Sequence, residues 1–278
     1  MPAPGADMSA NVACVGLATR DTIVRVPGHP PRDGRIVADE LVVAGGGPAA
    51  TAAVTLARLG AEVAFFGVVG DDDAGAFVRD GLADEGVDVT GLQVVPGART
   101  PQSVILVAPD GARSIVHRPG DAEPAFVSPD ASWVHVDHVG YGRAAGRLSV
   151  DGGNPIDGLT LDGVALYAPT AERLHADFGD AQRALSAGAE TVVVTRGAAG
   201  STAYTRDEVV EAPGVPCEPV STLGAGDVFH GALLAYLVRG ANLAEALHAA
   251  NTAASLSCRA LDGRSGIPSL DELQGVMT

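Results

Sequence analysis

Ser221-Thr222-Leu223-Gly224-Ala225-Gly226-Asp227-Val228-Phe229-His230-Gly231-Ala232 sets three small residues, two of them glycines, directly before an acid. An apolar segment, 228–238, follows at once and reads as a buried helix. Small residues let the backbone turn tightly and approach a ligand closely. The first free N–H groups of that helix then point out of the 224–226 turn, which makes an anion site. An aspartate there repels a bound phosphate. Two readings explain it: Asp227 takes a proton from a hydroxyl as a phosphoryl group arrives, or it is a simple helix cap.

Working outward, all 18 basic residues are arginine and none is lysine. That excludes the P-loop and the protein-kinase plan, which both need a phosphate-contacting lysine. It also excludes Schiff-base chemistry on a lysine amine. The net charge of −16 argues against nucleic acid or an acidic membrane as partner. Cys14, Cys217 and Cys258 lie far apart and lack metal-ligand spacing, which suggests a reducing, cytoplasmic setting. No apolar run reaches the roughly 18 residues of a membrane span, and residues 1–10 lack the pattern of a signal peptide.

A chain of 278 residues with 46% hydrophobic content can bury a large core. Apolar strands are expected at 12–17, 62–69, 133–136, 147–150, 164–167 and 191–195. Helices are expected at 49–59, 73–84, 180–187, 227–239 and 243–257, with a short one at 270–274. This alternation indicates a mainly parallel sheet covered on both faces. Two pairs break it, 22–26 with 35–43 and 103–108 with 113–117, and these read as a separate lid. Segments 201–204 and 209–212 read as an antiparallel pair. The connection 137–147 is short for a parallel crossover, and Gly140 and Gly142 disfavour a helix in it.

A second glycine cluster stands at Gly45-Gly46-Gly47-Pro48-Ala49-Ala50-Thr51, followed by Ala57-Arg58-Leu59-Gly60 and Gly67-Val68-Val69-Gly70-Asp71-Asp72. With the 224–227 run and the tail Gly263-Arg264-Ser265-Gly266-Ile267-Pro268, the chain resembles the PfkB/ribokinase family of carbohydrate kinases over nearly its whole length. The flavour is similar to the ketohexokinase-like and sulfofructose-kinase-like branch. The resemblance implies one catalytic α/β/α sandwich across 1–278, with a small β lid at about 20–44 and 101–118. It implies ATP-dependent phosphorylation of a sugar hydroxyl and a homodimer paired through the lid strands.

Residue by residue, the resemblance makes Asp227 the general base and the amides of Gly224, Ala225 and Gly226 the anion hole. Asp21, Gly46, Gly47 and Thr51 become sugar contacts. Thr51 stands where many relatives carry asparagine. Thr195, Arg196, Gly197 and Gly200 match the nucleotide loop, and Asn251 the adenine edge. Arg35 and His117 fall where sulfofructose kinases hold a sulfonate, although either also reads as a lid-surface residue. An asparagine and a glutamate linked to Mg²⁺ are expected after Pro169. Thr170 and Arg173 stand there instead, with Glu172 one place early as a weak candidate acting through water. Ser221 replaces an aspartate tied to monovalent-cation binding, so potassium activation is not expected. Competing readings are a nucleoside kinase, disfavoured by an aromatic content of 4%, and a degenerate sugar-binding relative.

Overall fold

The computed structural model describes residues 11–277. The signal-peptide reading of residues 1–10 lies outside them.

Thirteen strands and seven helices follow in chain order among the described residues: β1 (Asn11–Val15), β2 (Thr19–Arg25), β3 (Glu40–Gly46), α1 (Pro48–Arg58), β4 (Glu62–Gly70), α2 (Asp73–Asp84), β5 (Leu92–Val95), β6 (Gln102–Val107), β7 (Arg113–Arg118), β8 (Trp133–Val136), β9 (Leu148–Gly152), β10 (Val164–Pro169), α3 (Ala171–Asp177), α4 (Ala181–Ser186), β11 (Thr191–Thr195), β12 (Ser201–Tyr204), β13 (Val209–Ala212), α5 (Ala225–Leu237), α6 (Leu243–Ser257) and α7 (Leu270–Met277). They build a nine-stranded sheet, β13-β12-β11-β10-β9-β8-β1-β4-β5, and a four-stranded sheet, β3-β2-β6-β7. Every pairing in the large sheet is parallel except β11–β12 and β12–β13, so β12 alone runs against the other strands.

Both faces of the large sheet are covered, which is why its strands read as apolar runs rather than as an alternation. One core joins Phe65 and Val193 to α1, α2, α5 and α6 through Leu56, Leu82, Leu233 and Leu247. The opposite face packs Val136, Val150 and Tyr167 against α3 and α4 through Leu174 and Leu185. A third cluster, Ile23, Ile105, Val107 and Leu261, lies under the small sheet.

The two expected hairpins are one sheet, because β2 runs parallel to β6 and joins them. β3 begins at Glu40, later than expected, and 35–38 are irregular. Strand β5 and helix α3 are not among the expected elements: β5 is an edge strand with two exposed side chains, and α3 buries only Leu174, so neither carries a clear apolar pattern. Helix α5 starts two residues earlier than read, at Ala225.

The short connection 137–147 is real. β8 and β9 are adjacent and parallel, with no helix between them. Asp137 accounts for it. One of its carboxylate oxygens accepts from the Val139 and Gly140 N–H groups at 2.8 and 3.0 Å. The other accepts from Leu17 at 2.8 Å and from Ala49, in the first turn of α1, at 3.1 Å. Burial alone favours the neutral acid, but four donors leave no acceptor for an acid proton, so the group is a carboxylate. Gly16 is required beside it, since a Cβ there would overlap the Asp137 carboxyl.

Asp137→Ala strands these N–H groups in the interior. Urea denaturation should show a loss of about 3 kcal/mol; an unchanged midpoint would show that the four bonds contribute nothing net.

Candidate active site

The turn 221–224 is held from three sides. The Val220 and Ser221 N–H groups both donate to the Cys258 carbonyl, and the Ser221 hydroxyl accepts from the Leu223 N–H at 3.1 Å. Ser221 is fully buried by these contacts. Gly224 is the N-cap of α5 with φ +74°, a left-handed conformation that favours glycine, and a Cβ there would press on the Gly263 backbone. The first turn of α5 therefore carries no side-chain cap. Asp227 sits inside the helix rather than at its cap, which removes the simple capping reading.

Asp227 looks into a cleft that it shares with Asp21, Ile23, Gly45, Gly46, Gly47, Thr51, Leu223, Gly224 and Gly263. Four separate segments meet there. β2 brings Asp21, the β3–α1 junction the three glycines, the 221–227 turn its amides, and the C-terminal tail Gly263. None of these lining residues is aromatic. Asp21 is buried, with one carboxylate oxygen unpartnered; burial pushes its pKa up, while Thr19, Ser103, Arg264 and His117 oppose the shift. A Cβ on Gly46 would overlap Asp21, and one on Gly47 (φ +91°) would overlap the Leu17 backbone.

Burial pushes the pKa of Asp227 up to about 7; the Asp151 and Asp137 carboxylates add to this, and His230 and Arg113 oppose it. Arg113, on the small sheet, donates to the Thr222 hydroxyl at 3.0 Å and so bridges the lid to the turn.

The other expected residues separate into two groups. Thr51 lines the cleft, and its hydroxyl accepts from Arg264 Nε at 3.3 Å. His117 lies on β7, with Nδ1 3.2 Å from the Ser103 hydroxyl; burial lowers its pKa, and the nearby Asp21 carboxylate opposes the shift. Thr195, Arg196, Gly197 and Gly200 form the end of β11 and the short 3₁₀ turn Gly197–Ala199. There the Arg196 N–H donates to the Gly200 carbonyl, and the Arg196 guanidinium donates to Thr202.

Arg35 is not brought to the cleft; it sits exposed on the loop before β3, outside the lining residues. Asn251 is also not a free edge. Its amide donates to the Ala212 and Pro213 carbonyls at 3.2 and 3.1 Å and accepts from Ser201 at 3.2 Å. It fastens α6 to β12 and β13.

Nor do the residues after Pro169 form an oxygen cage for Mg²⁺. Thr170 caps α3 by accepting from the Arg173 N–H, Arg173 pairs with Asp177, and Glu172 is exposed in the first turn.

Sequence reasoning passed over Asp137, Asp151 and Arg264. A signal existed for the first two: each ends or directly follows an apolar strand, and in open parallel sheets ligand sites gather at the carboxyl ends of strands. Arg264, 7% exposed, stands in the 263–268 tail, but the tail motif gave it no role of its own. Its Nη2 donates to the Gly46 carbonyl at 2.8 Å, which holds the glycine wall of the cleft.

The raised pKa fixes the sign of a pH effect. Between an ordinary carboxylate value of 3.8 and about 7, the folded protein holds a proton at Asp227 that the unfolded chain has released. This group's contribution therefore falls as pH rises through that window. Asp227→Asn should be indistinguishable from wild type in thermal stability at pH 4 and more stable at pH 8. A constant difference at both values would refute the shift.

The family model for pfkB carbohydrate kinases matches residues 9–160 and 170–270. The ribokinase of Bacillus subtilis (strain 168) is 27% identical, with 96% of this chain and 99% of that protein covered. The aminoimidazole riboside kinase of Salmonella typhimurium is 28% identical over 82% of this chain and 86% of its own length. The Arabidopsis thaliana ribokinase, solved with ribose and ATP, superposes with a TM-score of 0.81 at 24% identity over 97% of this chain and 99% of that one. With the family model spanning most of its length and the ribokinase-like fold behind it, this chain belongs to the pfkB family of carbohydrate kinases.

Proposed function

We propose that the protein moves the γ-phosphoryl group of ATP to a hydroxyl of a ribose- or ketose-like sugar or sugar derivative bound between Asp21 and Asp227. The hydroxyl oxygen forms a bond to the γ-phosphorus as the bond to the ADP leaving oxygen breaks. The hydroxyl proton goes to Asp227. The amides of the 224–226 turn stabilise charge on the migrating group, with the α5 N-terminus behind them. Lysine is dispensable because phosphoryl transfer depends mainly on positioning and charge stabilisation. Mg²⁺ would arrive with ATP, held largely by phosphates and water.

The observation that carries this reading is that Asp21 and Asp227, distant in sequence, face one glycine-walled cleft. Asp21's unpartnered oxygen suits a sugar hydroxyl. A neutral polyol is favoured over a sulfonate or phosphate, since Arg35 lies outside the cleft. A nucleoside is disfavoured because no aromatic side chain lines the cleft to stack a base. The free cysteines Cys14, Cys217 and Cys258 support a cytoplasmic setting.

ADP production measured across a panel of pentoses, hexoses and ketoses should identify an acceptor. With it, kcat/KM should rise through about pH 7 as Asp227 ionises. Asp227→Asn should lower turnover by ~10²–10⁴-fold with little change in ATP affinity. Undiminished turnover in that variant would remove Asp227 from the mechanism.

The chain also pairs with a second copy through the outer face of its small sheet, in our reading. Register places Val43, Thr22, Val104 and Val116 in one row across the four strands, and Leu41, Val24, Leu106 and Ser114 in the next. Leu41 is 62% and Val116 69% exposed, a contiguous uncharged surface that a two-fold partner would cover. Light scattering at micromolar concentration should give a dimer for the wild type and a monomer for a Val104→Asp/Val116→Asp variant. A monomeric wild type would overturn the assignment.

A further inference from the structure

Between α5 and the large sheet, three buried side chains converge that the proposed chemistry does not use: His135 on β8, Asp151 on β9 and His230 on α5. None is more than 6% exposed. One potential donor atom of each lies within 4.8 Å of the other two. Two of their nitrogens, His135 Nε2 and His230 Nδ1, have no hydrogen-bond partner among the described residues. His230 Nδ1 comes within 3.1 Å of Asp151 Oδ2, yet the contact is not aligned as a hydrogen bond. Buried nitrogens without a partner are costly and call for a physical reason.

The surroundings orient these atoms as ligands. His135 Nδ1 is 3.2 Å from the hydroxyl of Ser149, its register partner on β9. A ring N–H given to that hydroxyl leaves the lone pair on Nε2. Asp151 spends Oδ1 on the Gly153 N–H at 2.7 Å, which leaves Oδ2 on the His230 side. Outer hydrogen bonds of this kind fix the direction of imidazole and carboxylate ligands at metal centres. A tetrahedral ion with bonds of about 2.1 Å sets its donors about 3.4 Å apart. The Asp151–His230 gap already fits, and a small rotation of His135 closes the rest. Two imidazole nitrogens and one carboxylate oxygen suit zinc or a similar first-row ion, whereas magnesium takes oxygen ligands. None of the three residues lines the cleft. A tetrahedral ion that needs one further ligand, a water, therefore fits better than an octahedral one with three open positions.

We propose that His135, Asp151 and His230 form a structural site for a divalent transition ion of the zinc type, which ties α5 to β8 and β9. The tie falls on the face of α5 that also carries Asp227, three residues before His230. Asp151 and His230 both act on the Asp227 carboxyl, so an ion between them favours its charged form too; the value of about 7 is that of the metal-free protein. The site does not depend on Asp227 being the base.

Protein without a histidine tag, stripped with a chelator and titrated with Zn²⁺ alone, should take up one equivalent by calorimetry. Its thermal midpoint should rise by about 5 °C with free zinc at roughly 100 times its Kd. Co²⁺ in place of zinc should give the intense visible bands of a four-coordinate ion. His135→Ala should abolish stoichiometric binding, and Ser149→Ala, which leaves all three ligands in place, should weaken it ~10–100-fold. Absence of binding and of any thermal shift in the wild type would overturn the proposal, as would the weak bands of six-coordinate cobalt, whether or not the variants fold. Zinc uptake unchanged in both variants would also overturn it, by assigning the ion to the other histidines of the chain. Failure of the base reading shows separately, as undiminished turnover in Asp227→Asn.

Discussion

The site depends on a carboxylate that does not line the cleft. Asp137 gathers four backbone N–H groups from the end of β1, the start of α1 and its own turn. A buried charge is tolerated only when its acceptor capacity is filled, and here backbone donors and a helix N-terminus fill it. The consequence is geometric. The end of β1 leads into β2 and Asp21, and the start of α1 carries the glycine wall. One side chain thus sets where the floor of the cleft meets its side.

The opposite wall is set by close backbone approach. Gly224 takes a positive φ against Gly263, so the tail after α6 and the turn before α5 pack with no Cβ between them. Arg264, next along that tail, reaches back to Gly46 and Thr51. Arg58 clamps the tail from below through the Arg264 and Ile267 carbonyls while pairing with Glu85. Arginine suits this work because its planar fork can satisfy several carbonyls and a carboxylate at once. A chain without lysine has placed these arginines where they hold backbone.

Much of this was legible beforehand. The strands of the large sheet announced themselves as apolar runs because both faces are covered, and α1, α2, α5 and α6 because each is long enough to show a period. Where burial is slight the signal vanishes: β5 is an edge strand with two exposed side chains and α3 buries only Leu174, and the lid's junction between β2 and β6 is a pairing of strands that no local pattern records. Gly224, Asp227, Asp21 and the 45–47 glycines were readable because backbone conformation and lone acids leave marks in sequence. Residue type alone does not say that the Asn251 amide is bonded to Ser201, Ala212 and Pro213, or that the loop carrying Arg35 is exposed.

Sequence by itself determined the chemistry available: an aspartate after a glycine turn, no lysine, and a covered parallel sheet, all consequences of local backbone preference and residue type. Only the tertiary structure decided which charges share a low-dielectric space. Asp21 with Asp227, Asp151 with His230, and Arg264 with Gly46 are each separated by a long stretch of chain. The coupling of the charged groups, and the hydrogen bond from Arg264 to the Gly46 carbonyl, exist only once the strands and helices have packed.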